Sequence, residues 1–360
     1  MIHIAKPFLG DEEKEAVLSV LSSGMIASGD KVLEFEKAFS SYIGLKECIA
    51  CSSGTTALEL ALRALGIGPG DKVLTTSYSF IASTNCIIYV GATPVFTDID
   101  PDSFLMSPEN IRKALEKHPD IKAVLVVHLF GQACDMEEVQ AIAKEKGLLL
   151  IEDCAQSHGA LYKGKKSGSF GDASCFSFYP TKNMTTSEGG AVLFKDKEVA
   201  DKCRMLVNHG MKKRYCHEII GYNYRMTNIA AAIGLEQLKK LPAFNAKRQK
   251  NAAWLSGHIS NPFIKLPKIN SNCEHVFHQY TVKAQGRGSF IRHLEANGVG
   301  YGIFYPMSIP EQGCYKHLGF ETNYPVADEI KKQVVSLPTH PMLTDGELET
   351  IAQVVNSFFE

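Results

Sequence analysis

From residue 47 to residue 194 the chain alternates short apolar runs with amphipathic segments, and this alternation limits the possible folds more than any other feature. The apolar runs, at residues 48–51, 72–76, 94–98, 123–128, 148–152, 173–179 and 191–194, have strand length. Between several of them lie segments of helix length, at 57–65, 81–90, 108–117 and 136–146. Strands separated by helices pair in parallel only when the connection crosses a sheet face. The expected core is therefore an α/β domain, a mostly parallel sheet with helices on both faces. Ligands of such sheets gather at the carboxyl ends of the strands, so functional residues are sought there.

With 360 residues the chain has room for one large domain and a smaller one. Residues 1–30 read as an N-terminal arm, in which Asp11 caps a short helix ended by Gly24. Residues 31–242 read as the large domain. Composition turns mixed around Pro242, and residues 243–360 read as a smaller C-terminal α+β domain. It has a strand at 280–283 and helices at 290–296 and 345–358, the last capped by Thr344 or Asp345.

A formal net charge of -1 supplies no field for nucleic acid or an acidic membrane surface. No apolar stretch reaches bilayer-spanning length, and the first residues lack the basic-then-apolar pattern of a leader. The expectation is a cytoplasmic protein with neither kind of partner. Ten cysteines are scattered along the chain, several inside apolar runs, where a free thiol behaves as a small hydrophobe. Cys48 and Cys51 form a C-x-x-C pair, but within a strand. No second pair stands at zinc spacing, so no metal site is expected.

Three strand ends carry residues with chemistry. After the first run comes Ser52-Ser-Gly-Thr-Thr56, which opens a helix. Free N–H groups and the positive dipole end suit a phosphate there, with Gly54 allowing close approach and the Thr55 and Thr56 hydroxyls as further donors; Ser and Thr at a helix start also serve as plain caps. The glycines of Gly66-x-Gly-x-Gly70 precede a strand and read as a turn, not a dinucleotide fingerprint. The run at 148–152 ends on two acids. A carboxylate as buried as Asp153 requires a cationic or donating partner, such as a protonated pyridine nitrogen, or else it caps a following helix. At the third end the apolar run stops at Pro180, and Lys182 stands in a short polar loop before Gly189 and Gly190. Such a lysine is either a solvated charge or a partly desolvated nucleophile able to form a Schiff base with an aldehyde cofactor. Ser177 is a second candidate phosphate ligand, and Phe80 offers a flat apolar face. Lysine, buried acid, phosphate cradle and aromatic face on one sheet edge are what a pyridoxal phosphate site requires.

Over nearly its whole length the chain resembles the DegT/StrS family of sugar aminotransferases, within the fold-type I class of pyridoxal phosphate enzymes. The resemblance is carried by Ser53-Gly-Thr-x-Ala-Leu58, Asp98-Ile-Asp-Pro101, His128-Leu-Phe-Gly131, Glu152-Asp-x-Ala-Gln-x-x-Gly-Ala160, Ser177-Phe-x-x-x-Lys182 and Glu188-Gly-Gly190. It continues through Asn208-His-Gly210, Gly221-Tyr-Asn-Tyr-Arg-Met226, Gln237-Leu238, Tyr305-Pro306 and Leu337-Pro-x-His-Pro341.

The resemblance implies that Lys182 holds the cofactor as a Schiff base and that Asp153 pairs with the pyridine nitrogen. It implies further that Gln156 contacts the 3-oxygen, that Thr55, Thr56 and Ser177 hold the phosphate, and that Phe80 stacks on the ring. Asn223 would reach the phosphate of the neighbouring subunit's cofactor, which implies a homodimer with composite active sites. The implied reaction is a ping-pong transamination. L-glutamate converts pyridoxal 5'-phosphate to pyridoxamine 5'-phosphate, and a nucleotide-linked keto-sugar then takes the amine, giving an amino sugar for polysaccharide or glycoconjugate synthesis. Thr185-Thr-Ser-Glu-Gly-Gly190 resembles the branch acting on 4-keto sugars, so a 4-keto-6-deoxy sugar is the expected acceptor. The alternatives are a 3-keto-sugar aminotransferase, a dehydratase, and a non-catalytic regulatory relative; Lys182 stands against the dehydratases, which carry histidine there. Phe304 replaces the histidine of a His-Tyr-Pro run found in many members, so a polar contact near the sugar is expected to be missing. His158 is read as making either a structural hydrogen bond or a catalytic contact, and Met211-Lys-Lys-Arg214 as steering a diphosphate or as merely solvated.

Overall fold

The computed structural model describes residues 1–359. The central sheet has seven strands: β1 (Glu47–Cys51), β2 (Lys72–Thr76), β3 (Thr93–Thr97), β4 (Ile121–Val127), β5 (Leu149–Asp153), β6 (Ala173–Ser177) and β7 (Gly190–Phe194). Their spatial order is β1-β7-β6-β5-β4-β2-β3. From β3 to β6 all pairings are parallel, whereas β7 lies antiparallel between β6 and β1. The one reversal has a local cause. Residues 178–189 contain no helix to carry the chain across a sheet face, so β7 returns directly beside β6.

Helices α1 (Asp11–Ser23), α2 (Asp30–Ile43), α3 (Gly54–Ala64), α4 (Ala82–Tyr89), α5 (Pro108–Lys117), α6 (Met136–Lys146), α7 (Lys197–Leu206) and α8 (Asn228–His258) surround this sheet. Alternation along each strand divides the core. On β1, Ile49 and Cys51 pack with α3, while Cys48 and Ala50 join Phe35 and Phe39 of α2 and Leu241 of α8. The two thiols of the C-x-x-C pair therefore sit on opposite faces of the sheet. Phe39 meets Phe176 and Phe178 edge-on, with centroids 4.9 and 5.2 Å apart, which clamps the exit of β6 toward the Lys182 loop.

Two sequence expectations need correction. Gly10, not Asp11, is the N-cap of α1; the Gly10 N–H donates to Glu13 Oε2 at 2.6 Å, so the helix is closed by the acid in its first turn. The expected boundary at 242/243 falls inside α8, which runs through Pro242 for 31 residues. The change of core happens along this one helix: Leu241 packs with the sheet, and Ala252 and Leu255 pack with the smaller C-terminal core.

That smaller core gathers around an antiparallel sheet of β8 (Ile264–Lys265), β9 (Tyr280–Ala284) and β10 (Val334–Leu337). α9 (Arg287–Ala296), α10 (Pro325–Gln333) and α11 (Asp345–Asn356) complete the chain. Thr344 caps α11 reciprocally with Glu347. The N-terminal arm begins here too. Ile2 belongs to this core and pairs with Val299, after which the arm crosses back and α1 packs on α8.

Candidate active site

The carboxyl ends of β1, β2 and β5 and the loop after β6 surround a cavity of about 550 Å³, within the usual range for small-molecule sites. Thr55, Phe80, Asp153, Gln156, Ser177 and Lys182 all line it. Of the residues expected to bind the cofactor, Thr56 and Asn223 do not.

The phosphate end is built by the start of α3. Ser53 caps the helix, its hydroxyl accepting from Thr56 N at 3.1 Å. Thr56 is taken up by the same cap, donating to Ser53 O at 2.8 Å and accepting from Ser53 N at 3.0 Å. The N–H groups of Gly54 and Thr55, by contrast, have no acceptor among the described residues. Glycine is required at 54, because a Cβ there would lie 2.6 Å from Ser177 Cβ. This close approach sets Ser177 beside the helix start and completes an anion cradle.

At the centre, Asp153 Oδ2 accepts from Ser83 Oγ at 2.8 Å and Oδ1 from Ala155 N at 3.1 Å. No helix follows it, so it is not a cap. Burial pushes its carboxyl up from the ordinary value, partly opposed by Ser83 and by the charge of Lys182. Lys182 faces the same cavity from a tied loop: Lys182 N bonds Tyr179 O at 2.9 Å, and Thr185 Oγ1 and Thr186 N both bond Phe178 O. Its amine has no hydrogen-bond or ion-pair partner among the described residues. Burial lowers it to about 8, against a smaller upward pull from Asp153. An uncommitted amine with a lowered pKa is a nucleophile near neutral pH.

Gln156 is held at both ends, accepting from Phe130 N at 2.8 Å and donating to Tyr305 Oη at 3.1 Å. Tyr305 is fixed in turn by Tyr78, whose hydroxyl accepts from Tyr305 N and donates to Tyr305 O. The Tyr305 ring lies 6.1 Å from that of Phe80, so two aromatic faces flank this part of the cavity. Ser83 and His278, also on the wall, were not singled out from sequence. Ser83 had a faint signal, a serine in the otherwise apolar helix after β2. His278 had none, because its place depends on the small domain.

His158 is fully buried against Phe176 and Phe178, and neither ring nitrogen finds a hydrogen-bond partner. Burial lowers it to about 3, partly opposed by the Ser177 backbone, and it lies outside the cavity lining, where the catalytic contact of the two alternatives would need it. His128, Glu152 and Cys154 bring possible ligand atoms within 4.8 Å of one another. Both His128 nitrogens and both Glu152 oxygens are already hydrogen-bonded, which leaves no donor set for an ion. Asn223 is exposed, on a bridge with Asn208 away from the cavity wall. Met211–Lys213 forms one side of an exposed two-stranded hairpin.

These residues fit a phosphorylated pyridine aldehyde: a helix-start cradle, an acid with lone pairs left, an unpaired amine and flat apolar faces. The DegT/DnrJ/EryC1/StrS aminotransferase family matches residues 7–356. The GDP-perosamine synthase of Caulobacter vibrioides is 41% identical, over 97% of this chain and 96% of its own length. The UDP-N-acetyl-3-dehydro-alpha-D-glucosamine 3-aminotransferase of Acidithiobacillus ferrooxidans is 38% identical, over 96% and 94%. Among solved structures, Spr1654 of Streptococcus pneumoniae in its PLP form superposes with a TM-score of 0.93 at 30% identity, over 99% of this chain and 98% of the other. The fold is that of the fold-type I aminotransferases.

Proposed function

We infer the reaction from one premise: the chain belongs to the DegT/DnrJ/EryC1/StrS aminotransferase family, and it is a pyridoxal phosphate-dependent aminotransferase of nucleotide sugars. Within that activity we propose a nucleotide-linked 4-keto-6-deoxy sugar as acceptor and L-glutamate as amino donor. We also propose a cytoplasmic homodimer in which Asn223 of each copy reaches the other's cofactor phosphate.

The observation that carries the proposed roles is that Lys182 and Asp153 line one cavity together with the start of α3 and Ser177. Bound pyridoxal phosphate supplies an electron sink for breaking a carbon–hydrogen bond next to the transferred amine. Asp153 would hold the ring nitrogen protonated through a charge-assisted hydrogen bond contributing roughly 1.5–3 kcal/mol. The Lys182 amine would attach the cofactor and would serve as the group that takes up and returns a proton there. The N–H groups of Gly54 and Thr55, with the Ser177 hydroxyl, hold the phosphate, and Gln156, fixed by Phe130 and Tyr305, orients the ring oxygen. The 4-keto reading is supported by the run at 185–190, whose Glu188 lines the cavity.

L-glutamate added to the purified enzyme should bleach the visible cofactor absorbance in a single turnover. A UDP-, GDP- or dTDP-linked 4-keto-6-deoxy sugar should then restore it, with the amine at C4 of the product by NMR. Lys182→Ala should slow turnover by about 10³-fold or more. Amination at C3 would overturn the 4-keto assignment, and absorbance indifferent to L-glutamate would overturn the donor. A monomer by sedimentation would overturn the composite site.

A further inference from the structure

His278 belongs to the small-domain segment before β9 and lines the active-site cavity. Its protonation is fixed by a chain of hydrogen bonds anchored on two backbone carbonyls. Asn245 Nδ2 donates to His158 O at 2.8 Å, so Asn245 Oδ1 is an acceptor, and it receives Asn183 Nδ2 at 2.8 Å. Asn183 Nδ2 also donates to Val276 O at 3.1 Å. A carbonyl accepts only, so the orientation of both amides is settled. Asn183 Oδ1 is then left as an acceptor toward His278 Nδ1, 3.2 Å away. Nδ1 must therefore carry the proton. The nitrogen left for the cavity is Nε2, a bare lone pair.

The surroundings keep the ring in that state. Burial pushes its pKa well below the ordinary value, and the charges of Lys182 and Arg248 push it the same way. Arg248 adds rigidity, donating to the carbonyls of Phe277 and His278. Because Asn183 follows Lys182 directly in sequence, the same network registers the imidazole against the lysine loop.

We propose that His278 is a substrate-binding residue that accepts a hydrogen bond from a hydroxyl of the sugar through Nε2, and so takes part in choosing the second substrate over the first. The inference rests on the nucleotide-sugar and L-glutamate reading above. A sugar brings hydroxyl donors and needs acceptors. Gln156, nearby on the wall, is engaged at both ends of its amide, and the lone pairs left on Asp153 are reserved in this reading for the cofactor's ring nitrogen. The carboxylates of L-glutamate are acceptors and would meet the Nε2 lone pair unfavourably, so they bind elsewhere in the cavity.

Asparagine at this position retains a donor near Nδ1 for Asn183 but has nothing at Nε2, whereas glutamine puts an amide oxygen near Nε2. His278→Asn should lower kcat/KM for the keto-sugar half-reaction by about tenfold, the loss of one hydrogen bond to substrate. It should affect the single-turnover reaction with L-glutamate much less than the keto-sugar half-reaction, and His278→Gln should recover part of the loss. A sugar analogue lacking the contacted hydroxyl should react equally with wild type and His278→Asn. Independently of turnover, ¹⁵N-histidine NMR of the holoenzyme and the cofactor-free protein should show His278 as the Nδ1–H tautomer, without titration near the ordinary value of about 6.5. An Nε2–H tautomer, an ordinary titration, or equal losses in both half-reactions would overturn the proposal. A wild-type enzyme inert to L-glutamate would instead overturn the donor assignment, while the sugar half-reaction and the NMR would still decide the place of His278.

Discussion

Glu152 and Asp153 are consecutive residues at the end of β5, yet strand alternation turns them to opposite surroundings. Glu152 receives His128 Nε2 at 2.9 Å and the N–H groups of Gly168, Phe170 and Gly171 at 2.8, 2.8 and 2.6 Å. Burial pushes its carboxyl up, but these donors outweigh it and hold the pKa below the ordinary value. Asp153 has only Ser83 and the Ala155 N–H, opens on the cavity, and has its pKa raised by burial. The difference separates a scaffold acid from a chemical one. A carboxylate whose lone pairs are all used pins a loop, here residues 168–171, whereas one with lone pairs to spare is placed for a cationic ligand.

The largest effect expected from this contrast is on stability. Glu152→Ala would leave His128 and three backbone N–H groups buried without an acceptor, costing about 3–5 kcal/mol in denaturant unfolding. Glu152→Gln, which keeps one acceptor oxygen, should lose less. An unfolding curve for Glu152→Ala matching wild type would break the comparison. Asp153→Asn should do the reverse. The Ser83 hydroxyl can rotate to accept from the new amide, so the fold has no unpaired group. The native state of Asp153 binds its proton more tightly than the unfolded chain does, so its ionisation lowers stability as pH rises above the ordinary value of 3.8. The cofactor-free Asp153→Asn variant should therefore melt no lower than wild type at neutral pH, with the difference vanishing below about pH 3.8. Its reaction with L-glutamate should slow by roughly 10- to 100-fold, the loss of a charge-assisted hydrogen bond of 1.5–3 kcal/mol.

Sequence reasoning singled out Asp153 and Lys182 because one stands at the end of an apolar run and the other in the short loop after one, a pattern written locally in the chain. The same logic pointed to the start of α3, though it could not tell which of its groups would be left without partners. Thr56 is claimed by its own helix cap, a competition settled by one rotamer. The reversed β7 was hidden because an apolar run carries no sign of strand direction. Pro242 was misleading because a proline removes one helical hydrogen bond, and packing on both sides of α8 outweighs that loss. Tyr305 was quoted only as part of a motif, and His278 was missed, because both come to the cavity from sequence far beyond the sheet. Their positions follow from tertiary partners such as Tyr78 and Asn183.

The smallest effect sharpens the contrast most, since it removes one donor from the acid that has few. Ser83 Oγ donates to Asp153 Oδ2 and accepts from Ser79 Oγ at 3.1 Å. Ser83→Ala deletes that donor, while Ser79 retains Phe80 O as an acceptor, so no buried hydroxyl is stranded. The Ser83 hydrogen bond favours the ionised carboxylate, so without it the Asp153 pKa rises further, and under the proposed role less of the anion would face the ring nitrogen. About 1 kcal/mol is at stake, which corresponds to roughly a fivefold slower reaction with L-glutamate and weaker retention of the cofactor during dialysis. Ser83→Thr, which restores the hydroxyl, should recover most of both. A stability loss on the scale of Glu152→Ala, with the rate unchanged, would mean that Asp153 too is a scaffold acid.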